Sequence, residues 1–186
     1  VACTPDQLQA DLPEPHTDES SEERIMLPQP IQMGQMSLEQ ALLERRSVRE
    51  YQDQRLRLDD LGQILWAAQG VTHAEGLRTA PSAGALYPLE LHVVVGDVEN
   101  LIPGIYQYSP LNHALRPIAT GDKRAALSRA ALGQEAIEDA PVVIAISAVY
   151  ERTTTKYGGR GIRYTHMEVG AAAQNVYLQA TALALG

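Results

Sequence analysis

The stretch Pro81-Ser-Ala-Gly-Ala-Leu-Tyr-Pro88, followed at once by Leu-Glu-Leu-His-Val-Val-Val95, joins a stiff loop to an apolar strand. Small residues between two prolines predict a tight loop whose backbone a flat ligand can approach closely. The Val-rich run that starts at Leu89 predicts a buried strand. Because the loop precedes a strand and not a helix, it matches neither a P-loop nor the dinucleotide-binding glycine pattern. The alternative is a connection shaped by packing alone.

Helical and strand patterns alternate on both sides of this stretch. The spacing of apolar residues predicts helices over residues 37–46, 58–68, 122–132 and 163–185, with a short helix after Gly133. Strand patterns cover residues 89–95, 105–108, 114–118 and 142–149, of which the second and third form a hairpin and the last is predicted to be buried. This order predicts an α+β fold with a mixed sheet flanked by helices.

The last predicted helix, residues 163–185, is apolar or small on nearly every face. Such a helix belongs inside a core or an interface, and Gly170 would let another backbone come close. Glu168, Gln174 and Asn175 are polar in this apolar setting. Each of them needs a hydrogen-bond partner if it is buried, which predicts a structural role.

Composition and charge exclude several classes of function. The chain has 186 residues, enough for one domain with a substantial core, and a formal net charge of -8. This acidity argues against nucleic acid as a partner, because binding a phosphate backbone needs a basic face. A single cysteine excludes an intrachain disulfide, and the histidines lack metal-ligand spacing. No run of about 18 apolar residues is present that would span a membrane.

The first 36 residues differ in composition from the rest, with seven acidic residues, one arginine and five prolines. They predict a disordered acidic tether ahead of one domain over residues 37–186. The start Val-Ala-Cys resembles the end of a bacterial lipoprotein signal, which predicts a lipid anchor at Cys3 and a location outside the cytoplasm. The alternative is a free cysteine on a cytoplasmic protein. The missing initiator Met and the apolar end predict a segment of a longer product whose C-terminal part is incomplete.

A basic cluster follows the first predicted helix and contains Arg45, Arg46, Ser47 and Arg49. In an extended segment, alternation would place Ser47 and Arg49 on one side, with Arg45 reaching the same point. Guanidinium groups beside a hydroxyl suit a phosphate monoester, so the cluster is a candidate phosphate site. The alternative is a basic helix end that only complements the helix dipole.

Residues 151–162 are polar and rich in glycine, which predicts a mobile loop that carries Lys156 and Tyr157. A lysine beside a tyrosine can form an acid–base pair. Lysine acts as a base when burial or nearby cations lower its pKa, and tyrosine can relay or donate a proton. The glycines would let the loop move over a substrate. The alternative is an exposed loop whose charges have no catalytic role.

Three motifs occur here in the order found in one family. They are Arg-Arg-Ser-x-Arg-x-Tyr at 45–51, Pro-Ser-Ala-Gly-Ala-Leu-Tyr-Pro at 81–88 and the helix sequence over 163–180. Together they resemble the FMN-dependent nitroreductase superfamily, and within it the SagB/ThcOx-type dehydrogenases. The resemblance implies an obligate α+β homodimer with a helical interface and two FMN sites between the subunits.

The resemblance also implies roles for individual residues. One set would hold the FMN phosphate and ribityl chain: Arg45, Arg46, Ser47 and Arg49. A second set would line the isoalloxazine ring from the partner subunit: Pro81, Ser82, Ala83 and Gly84. In azoline-oxidising relatives a Lys-Tyr pair assists substrate deprotonation, and Lys156 and Tyr157 match that pair. Relatives continue beyond residue 186, where further flavin contacts would arise.

The implied function is oxidoreduction, with two electrons carried as hydride through FMN. One version oxidises a C–N or C–C bond with the help of Lys156 and Tyr157. Another passes hydride from NAD(P)H to a nitro compound or quinone. A non-catalytic flavin-binding module is the alternative from a different class. Azole-forming relatives work in cytoplasmic complexes, so the lipoprotein-like start argues against a peptide azoline as substrate.

Overall fold

An antiparallel sheet of five strands forms the centre of the fold in a computed structural model that describes residues 24–186. The strands are β1 (Ile25–Met26), β2 (Leu89–Val95), β3 (Gly104–Ser109), β4 (Ala114–Thr120) and β5 (Val142–Ala148), in the order β1-β4-β3-β2-β5. The helices are α1 (Leu38–Glu44), α2 (Leu58–Gln69), α3 (Arg124–Ala130), α4 (Glu135–Asp139), α5 (Glu151–Tyr157) and α6 (Arg160–Ala182), and Ala83–Ala85 form one 3-10 turn. The predicted α+β class is confirmed.

The sheet differs from the mixed sheet that the sequence predicts, because every pairing between the five described strands is antiparallel. Only short connections join β2 to β3 and β3 to β4, and short connections favour antiparallel neighbours. The long connection through α3 and α4 then brings β5 back beside β2, with Leu89 opposite Ala148. The one parallel bridge described, between Leu56 and Val98, lies outside the strands.

The main core lies on one face of the sheet, against α2 and α6. Alternation along each strand points every second side chain towards these helices, and Val93 of β2 lies opposite Tyr106 of β3. Large buried side chains of this core come from α2, β2, β3 and β4, and they include Leu61, Leu65, Leu91, Val93, Val95, Tyr106, Tyr108 and Leu115. Each large apolar side chain buried here stabilises the fold by about 1.5–3 kcal/mol.

Of the polar residues that the sequence singles out on α6, Asn175 makes the hydrogen bond that its apolar setting predicts, whereas Gln174 is exposed. Asn175 Nδ2 donates to the Ala67 carbonyl of α2 over 3.0 Å. One turn further along, Gln63 Nε2 of α2 donates to Gln179 Oε1 over 3.2 Å. These bonds fix the register of the two helices and, with it, the position of α6 behind the candidate site.

The folded region includes residues that the sequence assigns to the acidic tether. Ile25 and Met26 pair with Leu115 and Ala114 as strand β1, and the side chain of Leu27 is buried in the core. Apolar residues that can occupy a free sheet edge outweigh the tether-like composition around them. The predicted lipid anchor at Cys3 lies in residues 1–23, outside the described part of the chain.

Two further elements differ from the sequence-based expectation. The strand predicted as buried over 142–149 forms as β5, but it is a sheet edge and its side chains are half-buried or exposed. The predicted loop over residues 151–162 is wrong for all but residues 158–159, because α5 covers residues 151–157, with Thr153 fully buried, and α6 begins at Arg160. Within residues 24–186, no helix is long and apolar enough to cross a bilayer.

Candidate active site

The loop over residues 81–88 and helix α5 meet at Gly84. A Cβ atom built on Gly84 would lie 2.7 Å from Tyr157 Oη and 3.4 Å from Lys156 Nζ. The φ angle of Gly84 is +66°, a left-handed conformation that favours glycine. Conformation and space therefore both require glycine here. The sequence predicts the loop and the Lys-Tyr pair separately, and the structure brings them together within one chain.

Helix α6 and an internal hydrogen bond hold the loop in shape. The backbone N–H of Ala83 donates to Glu168 Oε1 over 2.9 Å, and the Glu168 side chain is buried. Ser82 Oγ accepts from the backbone N–H of Tyr87 over 2.9 Å, which closes the loop on itself. Glu168 is thus the structural hydrogen-bonding residue that its sequence context predicts, and its partner is the candidate ring-binding loop.

Tyr87 at the end of the loop connects it to its surroundings. Its φ angle of +44° is unfavourable for a residue with a side chain, so neighbouring contacts must maintain it. The Arg78 guanidinium carbon lies 4.3 Å from the centroid of the Tyr87 ring, and Tyr87 Oη accepts from the Arg78 backbone N–H over 3.2 Å. The Tyr87 carbonyl accepts from Arg152 Nη1 over 3.1 Å. These contacts make the loop a preformed surface.

Arg152 also ties α5 to the sheet. Its Nη2 lies 2.6 Å from Glu90 Oε1 of β2, and Gln107 Nε2 donates to the other carboxylate oxygen of Glu90 over 2.8 Å. Arg152 and Lys156 are four residues apart on α5 and so lie on the same side of it. The ion pair therefore anchors the helical turn that presents Lys156 to the loop.

Lys156 and Tyr157 occupy the C-terminal turn of α5 and not a loop. Lys156 is exposed, and its Nζ lies 5.9 Å from the centre of the Tyr157 ring. The Tyr157 ring packs edge-on against Tyr164 of α6, with 5.3 Å between ring centroids. An amine and a phenol that converge beside the loop can exchange a proton with a molecule bound next to them.

The predicted phosphate-binding residues follow α1 in an irregular segment. Arg45 is the C-cap of α1 and lies 6.0 Å from the ring centroid of Tyr177 on α6. Arg46 Nη1 donates to the Leu43 and Arg45 carbonyls over 2.9 and 2.7 Å. Arg46 thus satisfies the helix end, the role that the alternative interpretation of the cluster gives it.

The other members of this cluster are open to a ligand. Ser47 and Arg49 are exposed. Among residues 24–186, no carboxylate lies within ion-pair distance of Arg45 or Arg49. Their charges are consequently not neutralised within the described chain and can attract an anion.

Helix α6 runs past both candidate regions. Glu168 contacts the loop, and Tyr177 contacts Arg45 nine residues later on the same helix. At 1.5 Å per residue, these contact points are about 13 Å apart along the helix axis. The structure therefore places the loop and the basic cluster near different points of one helix and not in direct contact.

Arg78 is a site residue to which the sequence assigns no role. Its Nη1 donates to Gln69 Oε1 over 3.0 Å, while its Nε is buried and has no hydrogen-bond partner. Burial lowers the pKa of this guanidinium. The sequence feature that could have pointed to Arg78 is its charge at the start of a loop whose other residues are mostly uncharged. A buried donor without a hydrogen-bond partner is rare in folded proteins, so Arg78 is a residue whose place beside the loop needs an explanation.

Comparisons with known proteins agree on one family. The nitroreductase family model matches residues 42–186. A Methanocaldococcus jannaschii protein named as a nitroreductase is 52% identical over 152 residues, which cover 82% of this chain and 77% of that protein. The Escherichia coli microcin B17-processing protein McbC is 34% identical over 114 residues, or 58% of this chain and 42% of McbC.

A solved structure gives the same result. The crystal structure described as a nitroreductase from Ralstonia eutropha superposes with a TM-score of 0.72 at 31% identity, covering 88% of this chain and 74% of that one. The fold matches the nitroreductase architecture, and the homologues support an oxidoreductase. The chain belongs to the nitroreductase family, and the SagB-type protein McbC is among its homologues.

Members of this family generally bind a flavin, typically FMN. Three features of the chain fit such a group: the small side chains of residues 81–84, the charge of Arg78 without a carboxylate ion-pair partner beside them, and the unneutralised charges of Arg45 and Arg49. A flat ring with acceptor atoms and a distant phosphate would complement them. In the described part of the chain, no group of three His, Cys, Asp or Glu side chains is placed to hold a metal ion.

Proposed function

We propose that the protein binds FMN and carries two electrons as hydride through it. The observation that carries the proposal is the meeting of the small-residue loop with Lys156 and Tyr157 at Gly84. A preformed flat surface beside an acid–base pair suits a reaction in which a proton and a hydride leave or join one substrate. When bound, FMN would supply the two-electron carrier for this chemistry.

The basic segment after α1 would bind the phosphate end of FMN. Arg45 and Arg49 supply charged donors without carboxylate partners, and Ser47 supplies a hydroxyl. Arg46 would contribute long-range charge while it satisfies the end of α1.

The loop would carry the ring of FMN. Pro81, Ser82, Ala83 and Gly84 present small side chains and backbone, and Glu168 already fixes the N–H of Ala83. A surface held by hydrogen bonds needs little reorganisation when a planar ligand arrives. In the dimer that is common in this family, the loop of one subunit would line the ring of the FMN whose phosphate end the partner subunit holds.

Several apolar side chains support such a homodimer with a helical interface. Those exposed on α1 and α6 include Leu38, Leu42, Leu43, Met167 and Tyr177. Large apolar groups exposed on neighbouring helices are costly in water and are typical of a surface that pairs with another subunit.

We also propose a lipid anchor at Cys3 and a location outside the cytoplasm, and this proposal rests on the sequence pattern alone.

Lys156 and Tyr157 would handle the proton. In the dehydrogenase version, the neutral amine of Lys156 would accept the proton from carbon, Tyr157 Oη would relay or donate a proton, and the hydride would pass to FMN as the C–N or C–C bond is oxidised. In the second version, the protein takes hydride from NAD(P)H and reduces a nitro compound or quinone, and the same groups donate the proton. The 52% identity to a protein named as a nitroreductase favours this second version.

The test compares the two lysines of the chain, Lys156 and Lys123. The FMN-loaded protein is mixed anaerobically with NADH or NADPH and then with menadione, while the flavin absorbance is followed. The proposal predicts that Lys156→Ala keeps its yellow FMN but slows turnover by 10²- to 10⁴-fold, the range of acid–base catalysis. Lys123 is exposed and remote, so Lys123→Ala should match the wild type. Equal turnover rates in Lys156→Ala and Lys123→Ala would show that Lys156 takes no part in the mechanism. A bound flavin that is not reduced and reoxidised in this assay would favour a non-catalytic flavin-binding module.

A further inference from the structure

The positive charge of Arg78 lacks a carboxylate partner. The guanidinium donates to the neutral side chain of Gln69 over 3.0 Å and stacks on the ring of Tyr87. Its Nε is fully enclosed and makes no hydrogen bond. Arginine stays protonated at any physiological pH even when burial lowers its pKa. A lasting charge is therefore held at the edge of the candidate ring-binding loop.

The carboxylate whose charge acts on Arg78 is that of Glu90, and it already has two other partners. Glu90 forms an ion pair of 2.6 Å with Arg152 and accepts a second bond from Gln107. Its negative charge is thus largely balanced by Arg152. The other groups described around Arg78 are Gln69, Tyr87 and Tyr108, none of which is a carboxylate. The group as a whole carries a net positive charge.

We propose that Arg78 acts as a fixed positive charge that raises the reduction potential of a flavin bound on the loop. This inference rests on the proposed function, since it requires FMN at residues 81–84. Uptake of two electrons and one proton gives the ring one negative charge more than it had when oxidised. A cation held close by stabilises that product more than the oxidised ring, and partial burial strengthens the effect.

Other arginines of the site are less suited to this role. Arg152 is neutralised by Glu90, and Arg49 is exposed, where water and salt screen its field. Arg78 is linked to the loop directly, because its own backbone N–H and its guanidinium both contact Tyr87. Tyr87 in turn bonds to Ser82 within the candidate ring site.

The experiment measures the midpoint potential of bound FMN by spectroelectrochemical titration, together with the Kd of oxidised FMN. Arg78→Gln removes the charge, and Arg78→Lys keeps it. Gln69→Glu keeps Arg78 in place but sets a carboxylate against it in a side chain of the same shape. Arg55→Gln is the control, because it removes the same charge from an exposed ion pair with Asp97.

We expect the potential to fall in Arg78→Gln and Gln69→Glu, to stay near the wild-type value in Arg78→Lys, and not to change in Arg55→Gln. Equivalently, Arg78→Gln and Gln69→Glu should weaken the binding of reduced FMN by a larger factor than the binding of oxidised FMN. If either of these variants binds FMN with an unchanged potential, or if Arg55→Gln lowers it equally, the inference is overturned and the proposed function stands. A wild-type protein that takes up no FMN would instead overturn the proposed function.

Discussion

The backbone N–H of Ala83 donates to the buried carboxylate of Glu168, with 2.9 Å between N and Oε1. This bond joins the long helix α6 to the loop that we propose as the ring site. A carboxylate that accepts from a backbone N–H holds that peptide more firmly than a neutral acceptor does. The loop is therefore anchored at its centre before any ligand arrives.

Glu168→Ala should lower the free energy of unfolding by about 1–3 kcal/mol, because the N–H of Ala83 loses its partner in a partly enclosed place. Glu168→Gln keeps an acceptor of the same shape and should lower the free energy of unfolding by less. Urea denaturation measures both effects, and Glu138→Ala, at an exposed position on α4, serves as the control. Equal stability of Glu168→Ala and Glu138→Ala would show that the bond does not contribute.

Gly84→Ala should displace Tyr157, because the new Cβ would lie 2.7 Å from Tyr157 Oη. Gly76→Ala is a matched control, since Gly76 has a similar φ of +78° but open space around its Cβ position. Both variants bear a left-handed strain of about 1–2 kcal/mol, and Gly84→Ala adds the steric conflict. Thermal and urea unfolding compare the two.

A double-mutant cycle isolates the contact between Gly84 and Tyr157. In a Tyr157→Ala background, Gly84→Ala should cost no more than Gly76→Ala, because the obstructing ring is gone. A coupling of at least about 0.5 kcal/mol is expected for Gly84 and none for Gly76. If Gly84→Ala costs the same with and without the tyrosine, α5 does not lie against the loop in solution.

His113 should make stability fall in mildly acidic solution. Its Nε2 donates to the Pro28 carbonyl and its Nδ1 accepts from Tyr108 Oη, both over 2.9 Å, so the neutral ring satisfies both partners. Burial lowers the pKa of His113 in the folded state. The unfolded chain then binds a proton more readily, so stability is complete above the ordinary histidine pKa of about 6.5 and declines as the pH falls below it.

The variant His113→Gln should reduce that decline. Unfolding free energies measured between pH 5 and pH 8 would show a smaller slope below about pH 6.5 in the variant than in the wild type. The exposed His73 offers a control, because His73→Gln should leave the slope unchanged. A wild-type slope that persists in His113→Gln would assign the acid sensitivity to other groups.

Much of the fold could be predicted from apolar spacing. Strand β2 and helix α2 form over the predicted residues, because both combine strong periodicity with turn residues at their ends. Helix α5 was not predicted, because its polar, β-branched sequence has low intrinsic helix propensity. Tertiary contacts hold it: Arg152 pairs with Glu90, and Gly161 of α6 lies so close that a Cβ there would be 2.8 Å from the Thr154 nitrogen.

The candidate site was predictable in its parts but not in its assembly. The residue types of the loop and of Lys156 and Tyr157 indicate their chemistry locally. Their meeting at Gly84 depends on how α5 packs on β2, to which no local pattern refers. Arg78 was missed as a functional residue for a similar reason, since its missing carboxylate partner is a property of the packed structure.

The most direct test of the account compares the binding of FMN and riboflavin to the purified protein by calorimetry. If the basic segment holds the phosphate, FMN should bind at least about tenfold more tightly than riboflavin, because one charge-assisted hydrogen bond contributes about 1.5–3 kcal/mol. That preference should disappear in the Arg45→Ala, Arg49→Ala double variant and persist in Arg55→Ala. A protein that stays colourless with added FMN, or that binds the two compounds equally, would contradict the account.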